Sequence, residues 1–368
     1  MNVAILGGGN GSYTTAADLA LAGHRVRLWR RAASELAPLQ AAGGITLVAE
    51  GRQGTARLDR ATADLGEALE GAEVVIVPLP ATSHADLARR LVGRLTGKEI
   101  VLFTPGTFGC YAVAREIARA GGTLPFAFAE TGTLPYLARK TGPATVSAPV
   151  RAANLPVGVF PGSRSKAALE RIAALFPATR PCVDALDAAL TNAGPVIHPP
   201  LVLVNAASID GGTFDIHAAG TTASARRIID AVDAERIAAR QGIGYPAPHY
   251  ELATYYDEAR AAEGLYGAGA KQKLVASGLW REVLTYEHRY VSEDVALGLT
   301  LFESAGRMGG APTPAISGLL GVFGALLGRD LTGGRALDHV GLGDLTRREV
   351  LTLLHEGWES HAWSRAIR

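Results

Sequence analysis

The chain opens on an apolar run, Met1 to Leu6 (MNVAIL), which is cut off by Gly7-Gly8-Gly9-Asn10-Gly11-Ser12. From Tyr13 to about Ala22 the apolar positions recur at helical spacing and stop at Gly23. Arg25 to Trp29 then reads as a second strand ending in Arg30-Arg31. Glu73 to Val77 (EVVIV) is apolar without alternation, the pattern of a strand buried on both faces. It ends at Pro78-Leu79-Pro80, and a helix is expected from about Ser83 to Leu95. A strand over Glu99 to Phe103, a helix over about Tyr111 to Ala120 and a strand over Pro125 to Ala129 follow. Thr145 to Val150 and Val157 to Phe160 are expected to extend the same sheet. Strand–helix alternation at this spacing predicts a parallel, doubly wound sheet, whose ligands lie outside the carboxyl ends of the strands. The Gly7 loop, Pro78–Thr82, Thr104–Thr107 and Glu130–Thr133 should therefore converge on one crevice.

From about Asp184 the strand signals vanish. Helical patterns take over at roughly Pro200–Ile209, Ala219–Gln241, Pro248–Glu263, Lys271–Leu279, Glu293–Arg307, Pro314–Leu327 and Thr346–Trp358. Thr313 is placed to cap the Pro314 helix. The expected organisation is an α/β domain over residues 1–182 and an all-helical domain over residues 183–368.

Strand, glycine turn, helix and second strand within about thirty residues make the opening unit of a dinucleotide-binding domain. Gly7 permits the tight turn, and Gly9 lets the backbone approach a pyrophosphate. Asn10 and Gly11 carry the loop into the helix, whose N-terminal N–H groups attract an anion. Ser12 stands at the third fingerprint position, small enough for close helix–strand packing. At the end of the second strand an acid would accept both ribose hydroxyls, whereas arginine accommodates a 2′-phosphate. Arg30 and Arg31 occupy that place, with no acid before Glu35. The expected cofactor is NADP(H), with NAD(H) the less favoured choice. Pro80, Thr104 and Gly106, at other strand ends, are further candidate cofactor contacts.

Composition narrows the partners. The 368 residues are 48% hydrophobic, enough for two cored domains, and Lys+Arg 36 against Asp+Glu 35 gives a formal charge of +1. No polyanion-binding field is implied, so no nucleic-acid partner is expected. Cys110 and Cys182 are far apart without a CxxC, which points to a reducing compartment and no structural metal. The first residues already read as a strand, so no signal peptide is expected. Ala315–Leu327 is too short to span a bilayer. A cytoplasmic protein without a membrane partner is the expectation, and a homodimer the expected assembly, with the apolar Ala315–Leu327 helix available to an interface or to a core.

Two segments of the helical half carry candidate chemistry. In Thr191-Asn192-Ala193-Gly194-Pro195-Val196-Ile197-His198-Pro199-Pro200, the prolines disfavour helix at His198 and suit a helix that begins at Pro200. An imidazole at such a helix mouth is suited to proton transfer, or to capping and packing. Asn205, on the same predicted helix, is a candidate substrate contact. In Glu287-His288-Arg289-Tyr290-Val291-Ser292-Glu293-Asp294, Ser292 is a plausible N-cap, with both acids in the first turn of the next helix. The acids there either complement the helix dipole or, for Asp294, orient an imidazole, while Arg289 suits a carboxylate.

Together, GGGNGSYTTAADLALAGH, AETGTLPYLARK, NAGPVIHPP and HRYVSEDV resemble the opine dehydrogenase family of octopine/nopaline type over nearly the whole chain. The resemblance implies a Rossmann-type domain joined to a helical domain of the 6-phosphogluconate-dehydrogenase-like C-terminal class, with catalysis between them. It implies condensation of an amino acid with a 2-oxo acid such as pyruvate, and reduction of the imine by a nicotinamide cofactor. His198 matches the family's catalytic histidine, Asp294 its aspartate partner and Arg289 its substrate-binding arginine. Arg30-Arg31 departs from the acid of NAD-using members. Segment Glu130–Tyr136 either lines the pocket through Thr131 or Thr133 or simply connects. Two competing readings are a 2-oxo acid reductase of the ketopantoate reductase kind and a non-catalytic NADP(H)-binding regulatory protein. The first relies on a lysine, and this chain has none between Lys166 and Lys271.

Overall fold

The computed structural model describes residues 1–331 and 333–368. Its main sheet has eight strands in the order Thr179–Pro181, Leu155–Phe160, Ala127–Thr131, Ile100–Phe103, Val74–Val77, Asn2–Leu6, Arg25–Trp29 and Arg60–Thr62. All neighbours run parallel except Leu155–Phe160, which is antiparallel to Ala127–Thr131. Val74–Val77 and Ile100–Phe103 are buried at every position, as unbroken apolar runs in a doubly covered sheet must be.

Thr145–Arg151 does not extend this sheet. It belongs to a second, four-stranded sheet ordered Gly54–Ala56, Ile45–Ala49, Thr145–Arg151, Tyr136–Gly142. Its strict alternation of buried and half-buried residues marks a strand with only one covered face. That face packs on the glycine-loop helix (Asn10–Leu21), which is therefore enclosed between two sheets and buried from Ser12 to Leu19. Asp18 inside this sandwich is held by Arg151 at 2.6 Å, Arg52 at 2.8 Å and the Tyr136 hydroxyl at 2.6 Å. Burial opposes its charge, but these donors keep its carboxyl below the usual range.

Beyond Pro181 the chain is mainly helical, with its own additions. Thr213–Asp215 and Arg281–Val283 form a short antiparallel ribbon, so strands do not vanish there. The helix expected over Pro248–Glu263 is instead two short 3-10 turns, Leu252–Tyr255 and Ala261–Glu263. Pro314–Leu327 is a helix, but Thr313 makes no side-chain cap. The carboxylate of Glu235 accepts the N–H groups of Ala315 and Ile316 instead. Among the described residues no helix is long and apolar enough to cross a membrane.

Candidate active site

The glycine loop is built as an anion receptor. Gly7 has φ of +119°, a conformation that disfavours any side chain. Gly9 has nothing within 4 Å of where a Cβ would stand, so its open face is free for a ligand. The helix that follows has no side-chain cap and no acid in its first turn. Asn10 accepts the Lys140 N–H at 2.8 Å, which ties the helix start to the second sheet, and Ser12 is buried with an unpartnered hydroxyl. These features fit a dinucleotide pyrophosphate.

Two crevices meet at this loop. One is lined by Gly7, Gly8, Arg30, Arg31, Glu35, Pro80 and Arg90, with Leu79, Ser83 and others closing it. Arg30 fills the space a Gly8 side chain would need, donates to the Gly8 carbonyl at 2.7 Å and pairs with Glu35 at 2.9 Å. Arg31 is exposed beside it. The other crevice is a cleft that runs from Asn10 and Gly11, past Pro105, Thr107 and Thr133, to His198, Arg289 and Asp294. Thr104 and Gly106 do not line it. Thr104 is buried, and a Cβ on Gly106 would meet the Glu130 carboxylate at 2.5 Å. Glu130 accepts the N–H groups of Phe108 and Cys110 and so holds this loop in shape. Burial pushes its carboxyl up to about 7. Thr131 turns inward onto the Thr133 carbonyl, whereas Thr133 lines the cleft and shares a 2.6 Å hydrogen bond with Tyr266.

His198 sits in mid-helix, not at a helix mouth. The helix Gly194–Val204 runs through Pro199 and Pro200, which remove two backbone donors and which the buried apolar residues around them keep in place. Asp294 opens a π-helical turn, Asp294–Leu299, that follows a short helix, Arg289–Ser292. The helix therefore starts earlier than Ser292, and His288, not Ser292, caps it. Two glycines let these elements touch. A Cβ on Gly298 would stand 2.2 Å from Pro195, and one on Gly194 would stand 2.5 Å from Asp294. This close approach brings His198 Nδ1 to 2.7 Å from Asp294 Oδ2.

With Nδ1 donating to Asp294, Nε2 is the ring nitrogen left to face the cleft. Tyr290 stacks flat on the imidazole, with centroids 3.7 Å apart, and its hydroxyl bonds His217 Nε2 at 3.0 Å. Burial, aided by the charges of Arg289, His288 and Arg139, holds His198 well below the ordinary histidine value. Burial pushes the Asp294 carboxyl up to about 7, with Arg289 opposing. Glu293 is fixed between the domains. Its Oε2 accepts the Ala81 N–H at 3.0 Å, and its Oε1 lies 3.6 Å from Arg289 Nε.

Asn205 lies outside the cleft. Its amide donates to the carbonyls of Leu201 and Gly220, closing the end of the histidine helix. Of the aromatic candidates, Tyr255, Tyr266 and Trp280 line the cleft, while Tyr256 and Tyr286 are not among the lining residues. His217, Tyr290, Glu293 and Arg139 also belong to the site, and none was singled out from the sequence for such a role. The HRYVSED segment contains Tyr290 and Glu293, and AETGTLPYLARK contains Arg139, so the segments quoted for the family resemblance offered a usable signal. His217 carried none.

Comparison with known proteins places this arrangement. Residues 181–327 match the family model for the α-helical domain of NAD/NADP octopine/nopaline dehydrogenase, and residues 2–107 match the N-terminal model of NAD-dependent glycerol-3-phosphate dehydrogenase. An opine dehydrogenase from Arthrobacter sp. strain 1C is 30% identical, covering 93% of this chain and 96% of its own. The chain belongs to the opine dehydrogenase family. Its members are NAD(P)-dependent oxidoreductases acting on CH–NH donors. A vitopine synthase from Allorhizobium ampelinum is 25% identical over 96% of this chain and 99% of its own. Octopine dehydrogenase solved with NADH and L-arginine superposes with a TM-score of 0.71 at 19% identity, covering 96% and 98% of the two chains. Yersinopine dehydrogenase with NADP⁺ gives 0.66 at 16% identity, covering 98% and 99%. These solved structures show the fold, a Rossmann-like domain joined to the helical opine dehydrogenase domain.

Proposed function

We propose that this opine dehydrogenase prefers NADP(H) and reduces the imine formed from an amino acid and a 2-oxo acid, such as pyruvate, to an N-(carboxyalkyl)amino acid. The observation that carries the reading is the 2.7 Å His198–Asp294 pair, set in a cleft that begins at the pyrophosphate-type glycine loop. Bound at that loop, the cofactor supplies the hydride. His198 Nε2 gives a proton to the departing carbinolamine hydroxyl, lost as water on the synthetic path, and in the reverse direction takes a proton from the water that adds to the imine. Asp294 holds the tautomer and stabilises the imidazolium that forms. Arg289 holds the oxo-acid carboxylate by charge-assisted hydrogen bonds. Gly7, Gly9, Asn10, Gly11 and Ser12 form the pyrophosphate seat, and Pro80 helps wall the adjoining crevice.

The preference for NADP(H) rests on that crevice, which carries Arg30, Arg31 and Arg90 against Glu35 and Asp86. Arg30 is already engaged by Gly8 and Glu35, so Arg31 is the guanidinium free to meet a 2′-phosphate. The test is NADPH oxidation with a pool of amino acids plus a pool of 2-oxo acids, each pool then omitted in turn. Turnover that needs both pools supports imine reduction. Turnover with an oxo acid alone makes the protein a carbonyl reductase and overturns the reading.

A further inference from the structure

Resting on the function proposed above, we infer that Arg139 is the receptor for the amino acid's carboxylate, facing Arg289 across the cleft. Joining an amino acid to a 2-oxo acid gives a product with two carboxylates, one on each side of the new C–N bond. A single guanidinium provides for one of them. The cleft holds two guanidinium groups on different walls. Arg289 comes from the helical domain, and Arg139 from the strand Tyr136–Gly142 of the second sheet.

Arg139 is fixed as a receptor should be. Its Nη2 donates to Glu282 at 3.0 Å, and the guanidinium lies 4.6 Å from the centroid of the Trp280 ring. Both partners come from the opposite domain, on or beside the ribbon strand Arg281–Val283. Nη1 also donates to the Ala138 carbonyl at 3.4 Å, and the Tyr290 hydroxyl is a further hydrogen-bond neighbour of the guanidinium. A guanidinium has five N–H donors, so a carboxylate can still be bound without releasing Glu282. The charge of Arg139 reaches the catalytic group, since it is among the causes that depress the basicity of His198.

The acids lining the cleft, Glu293 and Asp294, each face a donor or a cation, although Glu293 Oε1 makes no hydrogen bond. Asp294 serves His198, and Glu293 serves Ala81 and Arg289. The cleft lining also offers apolar and aromatic surface, including Leu134, Leu137, Leu252, Leu274 and Tyr255, beside the polar His217 and Thr133. Two cations for two carboxylates, with each lining acid already facing a donor or a cation, select a neutral apolar amino acid.

The experiment assays the full-length enzyme with NADPH and pyruvate against the twenty amino acids. The best amino acid is then compared with its decarboxylated amine, leucine with 3-methylbutylamine being the first pair. Wild type should favour the amino acid, and Arg139→Met should raise its KM roughly 10- to 150-fold, as loss of a hydrogen bond to a charged group predicts. Pyruvate KM and NADPH affinity should stay within about threefold. The preference for amino acid over amine should collapse, Arg139→Lys should restore part of it, and the pH at which reductive turnover falls off with rising pH should move upward.

Glu282→Gln separates this role from a latch between the domains, because it breaks the ion pair and keeps the guanidinium. If it reproduces the Arg139→Met losses, Arg139 is a latch and the inference fails. A rise in pyruvate KM alone, or a loss of NADPH affinity, reassigns Arg139 to the oxo acid or to a cofactor phosphate and also overturns it. A basic amino acid as the best substrate overturns the selectivity. Absence of turnover with any amino acid in wild type refutes the function itself before Arg139 is at issue.

Discussion

Replacing Asp294 with asparagine tests the core of the proposed chemistry with almost no change in shape. Asp294 is 6% exposed, and its Oδ2 lies 2.7 Å from His198 Nδ1. Once the imidazole carries its second proton, the two charge centres are about 4 Å apart, worth roughly 4 kcal/mol at an effective dielectric of about 20. Asparagine keeps a dipole in place of the charge, so about 2–3 kcal/mol of that stabilisation is lost. At about 1.4 kcal/mol per decade, kcat should fall roughly 30- to 150-fold. If the amide turns its NH₂ toward Nδ1, the wrong tautomer is favoured and the loss is larger. The assay is steady-state NADPH oxidation with both substrates saturating, alongside NADPH affinity from fluorescence quenching. A kcat within about threefold of wild type would refute the reasoning. So would a fall in NADPH affinity that tracks the fall in kcat, because Asp294 would then be holding the fold and not the imidazole.

Three further outcomes follow from the same geometry. Gly9→Ala should fold with unchanged thermal stability, since the site of its Cβ is empty, yet bind NADPH at least roughly tenfold more weakly in titration because the methyl occupies the pyrophosphate seat. Arg31→Ala should weaken NADPH roughly 10- to 150-fold while leaving NADH almost unchanged, read as the ratio of the two dissociation constants. An equal loss for both cofactors would deny it the 2′-phosphate. Burial and nearby cations lower the His198 pKa, so its proton-donating form is lost as pH rises through a value below the ordinary histidine range. Imine reduction should therefore decline with rising pH and opine oxidation should increase over the same interval, and profiles of kcat/KM in both directions that run parallel would exclude a shared acid/base group.

Much of this was legible before any coordinates. Unbroken apolar runs such as EVVIV, and glycines between a strand and a helix, specify local geometry through sterics and burial alone. So the opening unit and the change of character after residue 182 could be read from the order of residues. His198 and Asp294 entered as a pair only through resemblance, because 96 residues separate them. Local rules went astray where packing outweighs them. Pro199 and Pro200 argue against helix at His198, yet the buried helix continues through both. Ser292 resembles a cap but lies at the end of an earlier helical turn. Asn205 has the chemistry of a substrate contact, but its amide is consumed by two backbone carbonyls.

What the sequence determined by itself is therefore the set of short-range elements, the seat for a dinucleotide and the absence of a strong net charge. The tertiary structure decided which distant groups meet. Thr145–Arg151 leaves the main sheet because its one apolar face needs the glycine-loop helix to cover it. Gly194 and Gly298 allow the contact that brings an acid to the imidazole. Arg139 and Trp280 come together from two domains. Such pairings depend on complementary surfaces formed only after the chain has packed, so no window of neighbouring residues carries them.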